Sequence, residues 1–251
     1  MTQAFCTLAR RELGAYLLSL TGYIIISAAL FLMGFSFVVL LRNLQHEPTI
    51  MPVTELFYLT QFFWLILLVS TPVITMRLFA LEKFSGTYET LMTTPVSDLQ
   101  VVLAKFAAAM TFYLLMWLPL LGCIFIVRHF TGDRSAIDAG AIGSTFLGII
   151  LIGGLFVAVG CCASALTRSQ VAAAMMGLAF GATLFLLAYL ARQLPESQSW
   201  QAQTLASFAL FDQMHDFARG VVDSRSVVVL ISMTFFVLFL TLRIVESRRW
   251  R

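Results

Sequence analysis

The sequence predicts an all-α polytopic membrane protein with six transmembrane helices, and three observations carry that expectation. Of 251 residues, 60% are hydrophobic and only 12% charged, with a mean hydropathy of +0.91; a soluble domain carries about a quarter of its residues charged. The few charges are segregated into short segments between long apolar runs. Six of those runs approach or exceed the roughly 17–20 residues that a helix needs to cross a bilayer: Gly22–Leu41, Phe57–Met76, Phe106–Val127, Ser144–Ala165, Val171–Ala191 and Val227–Leu242. Open strands are excluded, because hydrocarbon offers no partners for free backbone groups.

The elements follow in chain order. Residues 1–21 read as an interfacial helix, with Phe5, Ala9, Tyr16 and Leu20 near one face and Arg11 opposite. Glu12 falls against that pattern, near the apolar side; a frayed tail is the alternative. Arg10–Arg11 ahead of an apolar run resembles a signal peptide, but the run is too long and no small-x-small cleavage site follows, so the first span is expected to be retained. The second and third spans are joined by a polar segment, 77–105. Leu81, Phe84, Tyr88 and Leu91 would share one face of a helix running to Thr94, with Glu82 and Glu89 on another and Pro95 as its stop. Ser97 and Gln100 have the spacing of a capping box, which starts a new helix through Lys105 into the third span. A helix lying on lipid is the competing reading of Leu81–Thr94. Pro72 and Pro119 fall inside spans as kinks.

The fourth and fifth spans are separated only by Leu166–Gln170 and form a tight hairpin. Gly154, Ala158 and Cys162 on one, and Ala173, Gly177 and Gly181 on the other, recur every four residues. Such stripes let helix backbones approach closely, and packing within the hairpin accounts for both. The outer segment 192–226 is apolar for a loop, with Phe208, Phe211 and Phe217. Lys and Arg divide ten to six: Arg10, Arg11, Arg77, Lys83, Lys105, Arg168, Arg243, Arg248, Arg249 and Arg251 share the side of both ends, the other six the opposite side. The positive-inside rule therefore places both termini in the cytoplasm.

Several function classes are disfavoured. No G-x-x-x-x-G-K-[ST] loop exists to cradle a nucleotide phosphate, and no H-E-x-x-H or paired CxxC exists to hold a metal. No catalytic residue, cofactor or metal is expected. His46, His129 and His215 lie far apart in outer segments; His215 beside Asp212 and Asp216 reads as a polar helix face rather than a ligand set. Cys6, Cys123, Cys161 and Cys162 read as free, small side chains. The six spans hold no acid or histidine, which disfavours an ion-coupled secondary transporter or channel. The net charge of +3 is a sidedness of the membrane protein and not a nucleic-acid footprint.

The polar segment carries a resemblance. "RLFALEKFSGTYETLMTTPVSDLQVVLAK", Arg77–Lys105, resembles the loop between the second and third spans of permeases of the type-2 ABC exporter class. Their pattern is an acid, a G-T-x-E-x-L core, Pro-Val and a lysine, matched by Glu82, Gly86, Thr87, Glu89, Leu91, Pro95, Val96 and Lys105. The stretch His215–Arg251 is similar to the gliding-motility permease subunits, departing at Ser226, where relatives commonly carry an acid, and at Val229, near their tyrosine.

The resemblance implies a single permease domain over 1–251 in the bacterial cytoplasmic (inner) membrane. It implies a dimer with a second copy or a paralogous permease, and two separate ATPase subunits that hydrolyse the ATP. It makes Glu82, Phe84, Gly86, Thr87, Tyr88, Glu89, Leu91 and Pro95 the ATPase-coupling helix. It makes Phe208, Phe211, His215, Phe217 and Arg219 part of short re-entrant outer helices in contact with membrane lipid. The alternative to that re-entrant form is an amphipathic helix flat on the outer leaflet; the alternative to the permease is a membrane scaffold docking a cytosolic ATPase.

Overall fold

The computed structural model describes residues 2–46, 53–86, 97–131, 139–193 and 209–247, and all of its regular structure there is helical. The helices are α1 (Thr2–Leu17), α2 (Leu20–His46), α3 (Val53–Leu59), α4 (Gln61–Thr75), α5 (Ala80–Ser85), α6 (Asp98–Trp117), α7 (Pro119–Thr131), α8 (Ala139–Leu166), α9 (Gln170–Gln193), α10 (Leu210–Arg219) and α11 (Ser224–Ser247). Six stretches are long and apolar enough to cross a membrane: Leu20–Arg42, Phe62–Ser85, Asp98–Ile126, Ala139–Leu166, Gln170–Ala191 and Ser224–Ser247. They correspond one to one with the predicted spans, and the protein is a multi-pass membrane protein.

Two features differ from expectation, and a third, at Pro119, agrees with the expected kink. The second span is broken at Thr60, whose extended backbone (φ −70°, ψ 136°) separates α3 from α4. The Thr60 hydroxyl lies 2.6 Å from the Phe57 carbonyl and 2.8 Å from the Ser36 hydroxyl, which pins the break to α2. The third span is two helices meeting at Leu118–Pro119, where the missing proline N–H ends the hydrogen-bond ladder. The helix expected from Leu81 to Thr94 stops after six residues at Gly86, whose φ of +74° no helix continues through. Residues 87–96 lie outside the described residues.

α8 is the hub. It packs against α3, α4, α5, α6, α9, α10 and α11, and its backbone comes close enough to its neighbours to forbid side chains. A Cβ on Gly153 would sit 2.2 Å from the Tyr113 ring of α6, and one on Gly160 would sit 2.1 Å from the Thr75 hydroxyl of α4. In the hairpin partner, Gly177 faces Pro72 of α4 and the Cα of Gly160, while Gly181 faces Leu68 and Phe156. The α9 stripe thus packs inside the chain, as expected. The tightest contacts of α8, however, are made by Gly153 and Gly160, seven residues apart, beside the stripe singled out from the sequence.

Candidate functional site

Lys105 is the one lysine buried to 0% exposure among the described residues. Burying an unpaired ammonium is prohibitive, so the surroundings must supply charge. They do: Lys105 Nζ lies 3.1 Å from Glu12 Oε1 of α1 and 2.8 Å from Glu82 Oε1 of α5, with the Phe79 ring 5.4 Å away. Arg11, exposed to solvent, closes the cluster at 2.9 Å from Glu12 and 3.3 Å from Glu82. Two cations and two carboxylates therefore join α1, α5 and α6 at one point. The Glu12 and Glu82 side chains are 14% and 15% exposed. The second oxygen of Glu82 is enclosed and accepts no hydrogen bond among the described residues. The cluster explains why Glu12 sits on the apolar side of α1: it faces a buried cation, not lipid.

Neighbouring contacts fix the same three helices. Leu8 and Tyr16 of α1 are buried, and Tyr16 stacks on Phe112 of α6 with ring centroids 5.0 Å apart. The apolar face of α1 is thus covered by protein. The Tyr16 hydroxyl donates to the Ile74 carbonyl at 2.8 Å, satisfying a carbonyl in the last turn of α4. Burial, with Cys161 and Glu12 adding, raises the Tyr16 phenol well above its ordinary range, so it stays a donor. α6 begins with the capping box read from the sequence: Gln100 N–H donates to Ser97 Oγ at 3.4 Å, and Ser97 N–H donates to Gln100 Oε1 at 3.3 Å.

The turn from α4 into α5 is held from a distance. Phe79, the N-cap of α5, contributes no side-chain bond. Its N–H and that of Ala80 instead donate to Ser164 Oγ of α8, at 3.1 and 3.2 Å, while Ser164 donates to the Met76 carbonyl at 3.3 Å. Lys83 donates to the Ala165 carbonyl beside it. Nothing local in the sequence marks Ser164, a small residue in an apolar run.

Of the predicted coupling residues, Glu82 points inward to Lys105 rather than along a free edge, because that is where the buried cation needs it. Phe84 is 78% exposed. Gly86 is the left-handed cap. Thr87, Tyr88, Glu89, Leu91 and Pro95 lie outside the described residues.

At the other end of the bundle, α10 carries its apolar residues Leu210, Met214 and Phe217 into protein, against α8. Ser144 donates to the Phe217 carbonyl at 2.6 Å, Thr54 to the Ala218 carbonyl at 3.0 Å, and Tyr58 to the Phe211 carbonyl at 2.6 Å. Phe211 packs on Trp64 and Phe185, with ring centroids 4.5 and 5.0 Å away. Glu55 of α3, 4% exposed, takes His215 Nε2 at 2.9 Å and Arg219 Nε at 2.8 Å on one oxygen. Phe211, His215, Phe217 and Arg219 of the outer group thus lie on one helix, and Glu55, which falls outside the expected second span and has no role in the sequence reading, joins His215 to Arg219. Phe208 lies outside the described residues. Gly220 ends α10 with φ +93°.

No curated protein matches the chain. A family match covers residues 21–188 and carries the description ABC-2 family transporter protein. It takes in the first five spans and the polar segment with Glu82 and Lys105, and ends before the His215–Arg251 stretch that resembles the gliding-motility subunits. A match over two thirds of the chain, on a bundle of six apolar helices with a charged segment clamped beneath it, places the protein in the ABC-2 family of transporter permeases.

Proposed function

We propose that the chain is the permease subunit of an ATP-driven exporter, a single domain that forms the substrate path as a dimer above separate ATPase subunits. The observation that carries this is the Lys105 cluster. It ties the polar segment after the second span to two further helices, so a force applied at α5 reaches the bundle instead of bending a loose loop. Phe84, exposed near the end of α5, is the anchor for a groove in the ATPase, and residues 87–96 extend the contact. ATP hydrolysis belongs to the partner, since this sequence has no phosphate loop. The ten-to-six division of Lys and Arg supports an orientation with both ends in the cytoplasm. Lipid surrounds the exposed faces of α2, α9 and α11.

The test is a photoreactive residue at Phe84 in living cells, compared with one at Val222, which is exposed at the opposite end. Phe84 should cross-link to a protein whose peptides include a phosphate loop, and Val222 should not. Phe84→Ala should weaken that association by about 2 kcal/mol, or roughly 30-fold. A Phe84 probe that reacts only with lipid would contradict the reading. In sealed cells, an impermeant thiol reagent should label Val222→Cys and spare Ser85→Cys; the reverse pattern would overturn the orientation.

A further inference from the structure

We infer that α8 is a rod that carries displacement of α5 at one end to α10 at the other, with Ser164 and Ser144 as its positioning residues. This deepens the permease reading above and rests on it. Ser164 and Ser144 stand on the same helix, twenty residues apart, about 30 Å at ~1.5 Å per residue. Each reaches out of α8 to a short helix: Ser164 Oγ receives the first amides of the α5 turn, and Ser144 Oγ donates to the Phe217 carbonyl near the end of α10.

Both bonds are enclosed, where no water competes for them; Ser164 is 0% exposed. The helix between them is stiffened from outside. Gly153 and Gly160 seat it against Tyr113 and Thr75 with no room for a methyl group, and Gly148 holds Met214 and Phe217 of α10 at 2.9 and 3.0 Å from a Cβ position. A helix so packed moves as a body, because a close-packed interior shifts between arrangements rather than deforming smoothly. α2 has no comparable contact with α8, so it is the frame against which such a movement is measured.

The experiment uses the complex with its copurifying ATPase, in lipid nanodiscs, with cysteine-free permease carrying spin-label pairs. Ser85→Cys with Phe31→Cys reads the inner end against α2, and Asp212→Cys with Val38→Cys reads the outer end. ATP with vanadate traps the closed ATPase. In the otherwise unaltered protein both distances should change. Ser164→Ala should keep the inner change and lose roughly half or more of the outer one. Ser144→Ala, which leaves the inner end untouched, should do the same, so the idea does not depend on one variant folding. Thr54→Ala removes a similar hydrogen bond to α10 that does not come from α8, and should leave both changes intact. An outer change that survives Ser164→Ala and Ser144→Ala overturns the rod, as does one abolished equally by Thr54→Ala. No nucleotide-driven change at either end of the parent protein contradicts the permease reading itself, and the rod with it.

Discussion

The two ends of the bundle solve the same problem in opposite ways. At the end that holds α5, a buried cation on a long spanning helix, Lys105, gathers two carboxylates from two accessory helices. At the other end a buried carboxylate, Glu55, gathers two nitrogen donors from one accessory helix, α10. Lys105 is wholly enclosed, whereas the Arg219 side chain is 50% exposed. The first cluster is therefore the more expensive to break, and it joins three helices where the second joins two. That difference suits the proposed exporter, in which the first end takes force from an ATPase and the second has only to follow.

The comparison breaks most readily at Lys105. Lys105→Met leaves Glu12 and Glu82 with only the solvent-exposed Arg11 between them and no enclosed cation, and removing one member of such a buried pair costs about 3–5 kcal/mol. The thermal midpoint of the purified permease should fall further than for any other change described below. Glu55→Gln should cost about 2 kcal/mol, the scale of a hydrogen bond to a charged group, because half-exposed Arg219 recovers solvation in water. If the two variants lose equal stability, the contrast between the ends is wrong.

Smaller changes sharpen it. Gly148→Ala pushes a methyl group against Phe217 and should destabilise the outer end by about 1–3 kcal/mol without touching a charge. Limited proteolysis should then cut near α10 sooner, leaving α5 protected. Ser97→Ala removes the hydroxyl of the capping box and should cost about 1 kcal/mol at the start of α6, lowering the midpoint only slightly.

What the sequence disclosed, and what it hid, follows from the range of each interaction. The capping box at Ser97 and Gln100 was legible because its partners are three residues apart. The spans were legible because apolar length is a property of a continuous run. The role of Glu12 was half legible: its misfit on the face of α1 was visible, but its partner is 93 residues away. Glu55 lies 160 residues from His215, and Ser164 lies 85 from Phe79; no local pattern announces either. The helix expected to run unbroken from Leu81 is interrupted at Gly86, since its apolar spacing outweighed a glycine whose left-handed conformation ends α5. The α8 stripe holds the buried Gly154 and Ala158, but the closest approaches are made by Gly153 and Gly160, whose spacing of seven a search for repeats of four passes over.

Lys105 holds α1 and α5 as one block, and one distance tests that directly. A label on native Cys6 of α1, exposed, and one on Ser85→Cys, with the other three cysteines replaced, report the separation of the two helices in the ATPase complex. The distribution should be narrow and unchanged between the nucleotide-free and ATP-trapped states, and in Glu82→Gln it should broaden and shift on trapping. A shift in the parent protein as large as in Glu82→Gln would contradict the account, because the two helices would then move independently of the charges that join them.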